Sequence, residues 1–123
     1  MDDLRAAAHV LTAKPPITSA AAFHAQQACE KALKALLAWY DKPFRKTHNL
    51  EELGEACLAV NPSLRDAIDG AVPLSEYAWR FRYPGEPHEP TVSEAETALA
   101  TAQKLYRSVL DCLPETTRPK MRL

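Results

Sequence analysis

The sequence predicts an all-α fold, an up-down bundle of four long helices plus a short extra helix. Three observations carry this. Apolar residues recur at three- and four-residue intervals along the chain, and no run alternates apolar and polar as a half-buried strand does. The stretch Ala20 to Tyr40 contains neither glycine nor proline and is rich in alanine, the strongest helix former. The connections on either side of that stretch are short, which makes neighbouring helices antiparallel.

The elements follow in order. Asp2 to Thr12 sets Leu4, Ala7, Ala8 and Leu11 on one face, with acids at its start where a helix dipole favours them. Lys14-Pro15-Pro16 ends this helix, and Thr18 or Ser19 is expected to cap the next. In the long second helix, Phe23, Cys29, Leu33, Leu36, Leu37 and Tyr40 form an apolar stripe, and Phe23 and Tyr40 read as core. Ala21, Ala25, Ala28, Ala32 and Ala35 let a neighbouring helix come close. Gln27, Glu30, Lys31 and Lys34 form a separate face for water or a partner.

Beyond Asp41 the connection Lys42 to His48 is basic and irregular. Asn49 with Glu52 resembles a capping box, opening a third helix with Leu50, Leu53, Cys57 and Val60 buried. Asn61-Pro62 closes it and opens another, carried by Leu64, Ile68 and Val72 and broken near Gly70 and Pro73. Helical spacing resumes from Pro73 to Phe81, with Leu74, Tyr77, Ala78 and Phe81. Arg82 to Pro90, with Pro84, Gly85, Pro87 and Pro90, suits no regular element and reads as an exposed loop. Ser93 with Glu96 is expected to cap the last long helix, whose stripe includes Ala95, Ala98, Leu99, Ala102, Leu105, Tyr106, Val109 and Cys112 and which Pro114 ends. The domain is expected to span residues 1–114, followed by a mobile tail at 115–123.

A chain of 123 residues is one domain's worth. With 15 basic and 16 acidic side chains, net charge −1, no whole-molecule field recruits nucleic acid or an anionic membrane, and no DNA partner is expected. No apolar run is long enough to span a bilayer, and Met-Asp-Asp-Leu-Arg lacks the features of a secretion signal, so the cytoplasm is the expected compartment. Cys29, Cys57 and Cys112 fall at apolar positions without close pairs, which argues against a disulfide framework and against a metal site; no cofactor is expected.

The string Phe23-His24-Ala25-Gln26-Gln27-Ala28-Cys29-Glu30-Lys31-Ala32-Leu33-Lys34-Ala35-Leu36-Leu37, then Thr47-His48-Asn49-Leu50, then Arg82-Tyr83-Pro84 ahead of a capped final helix, resembles the prokaryotic HEPN domain. The similarity runs over nearly the whole chain. It implies an up-down helical bundle that usually forms homodimers, in a family that includes ribonuclease toxins paired with small nucleotidyltransferase antitoxins. In the nuclease members an Arg and a His separated by a few residues meet across a two-fold axis, and here five residues separate Arg82 from His88. Three features depart from that pattern, one of them the intervening Pro84-Gly85-Glu86-Pro87. Tyr83 follows Arg82 where nuclease members tend to carry a polar residue, and Pro90 stands where some toxins carry a tyrosine that the antitoxin modifies.

The residues themselves point to the same places. An imidazole suited to take a 2′-hydroxyl proton and a permanent guanidinium suited to hold a phosphate make Arg82 and His88 the candidate catalytic pair; the bland alternative is a helix-end Arg and a loop His. Gln27, Glu30, Lys31 and Lys34 either make a solvated face with an i,i+4 ion pair or line a nucleotide or RNA cleft toward His48 and Arg82. Thr47-His48 precedes a helix whose free amides attract anions, or simply caps it. Arg45 and Lys46 add charge nearby, but two basic residues are not a nucleic-acid footprint. Trp79 and Tyr83 interleave with Arg80 and Arg82, a pattern that stacks on bases or packs in a core. The expectation is therefore an RNA-directed homodimer partnered by a nucleotidyltransferase, with a non-catalytic nucleotide-binding or protein-interaction module as the alternative.

Overall fold

The computed structural model describes residues 1–78 and 89–114. They form α1 (Asp2–Leu11), α2 (Thr18–Trp39), α3 (Leu50–Val60), α4 (Arg65–Ala71) and α5 (Val92–Asp111), with 3-10 segments at Pro62–Leu64 and Val72–Ala78. The all-α fold class predicted by periodicity is the one observed, and no strand occurs among the described residues. The expected tail at 115–123 lies outside those residues.

α2 is the centre. Ala21, Ala22, Ala25, Ala28, Cys29, Ala32, Leu33, Leu36 and Leu37 are wholly buried. Small side chains on α2 face α5, which buries Ala95, Ala98, Ala102, Leu105 and Val109 and makes the most extensive packing with it. α1 doubles back on α2 as a hairpin, closed by the Ile17 amide donating to the Val10 carbonyl at 3.0 Å. The connection after α2 runs back beside it, so that His48 reaches Glu30 while Cys57, well along α3, meets the Leu33 carbonyl at 3.5 Å.

Several boundaries differ from the sequence reading. Ile17, which has no capping side chain, is the N-cap of α2, and Thr18 is already helical and buried. α5 uses the earlier of two overlapping Thr/Ser-x-x-Glu strings. Thr91 Oγ1 accepts from the Glu94 amide at 3.0 Å and Glu94 Oε1 accepts from the Thr91 amide at 2.8 Å, in place of Ser93 and Glu96. The earlier box gains helical residues and leaves the buried stripe unchanged. Asn49 caps α3, accepting from the Glu51 and Glu52 amides, but Glu52 does not reciprocate. Its carboxylate takes a two-pronged contact from Arg45 at 2.7 to 3.0 Å, and Thr47 Oγ1 accepts from the Asn49 amide instead. The Pro73–Phe81 periodicity yields the 3-10 segment Val72–Ala78 over its described part; Pro73, with no amide hydrogen, favours the tighter turn. Tyr40, expected in the core, is exposed, because α2 ends there, and Phe23 is half-buried.

The end of α2 is stopped by geometry rather than by glycine. Asp41 takes a left-handed conformation (φ 56°), its amide donates to the Ala38 carbonyl at 3.1 Å, and the Lys42 amide donates to the Leu37 carbonyl at 2.9 Å. These are the two bonds of a Schellman turn.

Gly54 marks a close approach of α3 to α4. A Cβ there would stand 2.5 Å from Ile68 Cγ2, and Ile68 is 2 % exposed and β-branched, so it has nowhere to rotate. Gly54→Ala gains about 1 kcal/mol of helix propensity but meets an overpacking cost of about 1 to 3 kcal/mol. The expected result is a net loss of stability in urea melts, relieved when Ile68→Leu removes the branch in the same chain.

Candidate functional site

Glu30 lies in the middle of α2 and is 5 % exposed. A carboxylate this deep needs partners, and the chain supplies them from two directions. From its own helix, Lys34 Nζ donates to Oε1 at 2.7 Å, Gln26 Nε2 donates to Oε2 at 3.1 Å and Gln27 Nε2 donates to Oε2 at 3.3 Å. From the connection after α2, His48 Nδ1 lies 2.9 Å from Oε2 and 3.1 Å from Oε1. Gln26, wholly buried, also donates to the His48 carbonyl at 3.3 Å and accepts from Gln27 at 2.6 Å. Burial by itself would push the Glu30 carboxyl up; contacts with Lys34, His48 and Gln26 outweigh it and hold the group below its ordinary value.

The geometry turns the cluster outward. The Glu30 side chain is 6 % exposed, that of Lys34 25 % and that of His48 63 %, so a buried carboxylate carries its ammonium and imidazole partners at the surface. With Nδ1 committed to the carboxylate, the Nε2 edge of His48 is the one left to exchange a proton with a ligand. Beside it a shallow cleft of about 530 Å³ is lined by Thr47, His48, Asn49, Glu51, Pro73, Ser75 and Glu76, among others. Ser75 Oγ accepts from the Leu50 amide at 3.0 Å, which uses one of the free donors at the start of α3.

The structure thus brings Gln27, Glu30, Lys34 and His48 together, and it departs from the picture of a solvated face in burying Glu30. Lys31, grouped with them in the sequence, turns instead to a second carboxylate. Asp3, 8 % exposed, has His24 Nδ1 2.9 Å from Oδ1 and Lys31 Nζ 2.7 Å from Oδ2, the latter an ion pair outside the angles of a hydrogen bond. Burial raises this carboxyl, but Lys31 and His24 together carry it below its ordinary value. Sequence reasoning missed this pairing, although His24 and Lys31 are seven residues apart and so share a face of α2. The expectations for Arg80, Arg82, Tyr83 and His88, and for Trp79, fall on residues 79–88, outside the described residues.

Cys29 and Cys57 are buried, and burial pushes both thiols up to about 12, which makes them poor nucleophiles and poor metal ligands. Among the described residues no cluster of three His, Cys, Asp or Glu side chains is arranged to hold a metal. Among the same residues no helix is long and apolar enough to cross a membrane.

Fold and site define a small helical-bundle domain in which a buried carboxylate on the central helix anchors a surface imidazole and a surface ammonium beside a cleft. The chain belongs to the HEPN domain family, whose model matches residues 1–112. Comparison with curated proteins and with solved structures finds no match.

Proposed function

We propose that this chain is the RNA-directed, homodimeric member of a pair whose other half is a small nucleotidyltransferase, and that it acts as a metal-independent ribonuclease toxin. The observation that carries the reading is the Arg82 and His88 spacing, five residues within the matched span, in a family whose nucleases use an Arg and a His so spaced. His88 takes the proton of a 2′-hydroxyl, the 2′-oxygen attacks phosphorus, and Arg82 holds the phosphate oxygens as charge builds. The 5′-oxygen leaves with a proton from the second protomer's His88, and the product is a 2′,3′-cyclic phosphate. In this reading Lys34 and His48 meet the RNA at the surface, Gln27 and Glu30 hold them there, and Arg80 and Tyr83 supply further charge and stacking. Because Glu30 already balances Lys34, most of the charge that holds phosphate comes from Arg80 and Arg82.

Purified protein incubated with cellular RNA tests this. The Arg82→Ala, His88→Ala double variant is expected to lose cleavage by about 100-fold or more, and a variant that cleaves like the parent overturns the assignment. A second reading has its own support. Tyr83 beside Arg82 and the Pro84-Gly85-Glu86-Pro87 spacer suit a binding module without catalysis, which would hold a nucleotide or a partner protein. Parent protein that binds nucleotide yet leaves RNA intact decides for it.

A further inference from the structure

Five large apolar side chains among the described residues are exposed, and three of them lie within six consecutive positions: Trp39 (47 %), Tyr40 (36 %) and Phe44 (40 %). Aromatic rings left in water in such density mark a surface with a use. Their setting says which. Lys42 and Lys46 stand among them with no acidic partner in the described residues, and Arg45 is held by Glu52. Against these, Asp41 is the one acid between Trp39 and His48. In a chain of net charge −1 this is a locally basic corner, and its Trp39 and Tyr40 end is held by the Asp41 and Lys42 turn bonds. A ring on a preset turn loses less freedom when a ligand covers it.

We propose that Trp39, Tyr40 and Phe44, with Lys42 and Lys46, form a stacking platform for single-stranded RNA. The proposal rests on the RNA-directed reading above and adds to it binding residues other than Arg82 and His88. The chemistry is that of sequence-tolerant single-strand binders: every base has a face to lay on an aromatic ring, and flanking lysines follow the phosphates. Trp39 and Phe44 are separated by no more than about 18 Å of extended chain, which suits a site of a few nucleotides. Charge complementarity decides for RNA over a second copy of this chain, because a symmetric contact would set Lys42 and Lys46 of one protomer close to the same residues of the other.

The test uses a fluorescently labelled, 2′-O-methylated single-stranded oligonucleotide, which has no 2′-hydroxyl proton to lose, so that binding is read without cleavage. Trp39→Ala and Phe44→Ala are each expected to weaken binding by roughly 5- to 150-fold, and Trp39→Phe to retain most of it. Lys42→Ala with Lys46→Ala is expected to lower the slope of log affinity against log salt by about 1 to 2. Circular dichroism of each variant should match the parent, since these side chains are exposed. Ring variants that bind as tightly as the parent overturn the platform and leave the cleavage reading standing. A parent chain that binds no RNA overturns both. Ring variants that change self-association in sedimentation but not RNA affinity assign the patch to a protein contact and overturn the proposal.

Discussion

Replacing Glu30 with alanine is expected to cost about 2 to 4 kcal/mol of stability, a fall in melting temperature on the order of 10 °C. The carboxylate is the acceptor for Lys34, Gln26, Gln27 and His48 at once. Without it Gln26, wholly buried, keeps only the 3.3 Å bond to the His48 carbonyl as an acceptor for its amide hydrogens. Lys34 and His48 reach water and rehydrate, which keeps the loss below that of a fully buried pair. Glu30→Gln keeps the shape and an acceptor but not the charge, so it should fall between parent and alanine.

The same substitution changes the acid limb of stability. Glu30 is held below its ordinary value of 4.5, so near that pH the unfolded chain binds more protons than the folded one. Its contribution is complete above about pH 4.5 and is lost as pH falls through the lower folded value. Urea midpoints taken from pH 7 down to pH 3 should drop more steeply for the parent than for Glu30→Gln. Asp3, also depressed, from an ordinary 3.8, and Glu52, held down by Arg45, contribute to the acid dependence that remains. Parallel curves for the two proteins would mean that Glu30 is not stabilised by its partners.

Leu33→Ala is the second large effect, about 3 to 5 kcal/mol and upwards of 10 °C. Leu33 is wholly buried at the middle of α2 and belongs to the core that includes Leu36, Leu37, Leu53 and Leu105. Leu53 and Leu105 sit on other helices, α3 and α5, whose own packing limits their collapse into the space a truncated side chain leaves. Leu33→Met, which conserves volume, should cost less than about 1.5 kcal/mol. Thermal melts of the two variants side by side separate loss of packing from mere substitution.

The legible parts of this fold are those in which local and global signals agree. α2 declares itself through alanine content and a stripe of which the structure buries Cys29, Leu33, Leu36 and Leu37, and α5 through a run whose core positions are Ala95, Ala98, Ala102, Leu105 and Val109. What misleads is local degeneracy: two overlapping capping strings begin α5, and an i,i+4 glutamate and lysine read the same whether bathed in water or covered by chain. Glu30 is covered because the connection from Asp41 to Asn49 folds back and lays His48 upon it, an event with no trace in the residues around Glu30. Asp3 is hidden in another way, since an acid in the first turn of a helix is already explained by the dipole.

Because α1, α3, α5 and the Val72–Ala78 segment all rest on α2, that helix has no side it can shed. Detaching any neighbour wets a row of alanines and leucines belonging to the others' common wall, so partial opening there is nearly as costly as melting. The amides at the middle of α2 should therefore trade their hydrogens with solvent only when the whole molecule comes apart, which makes this one helix the clock for the protein's global opening.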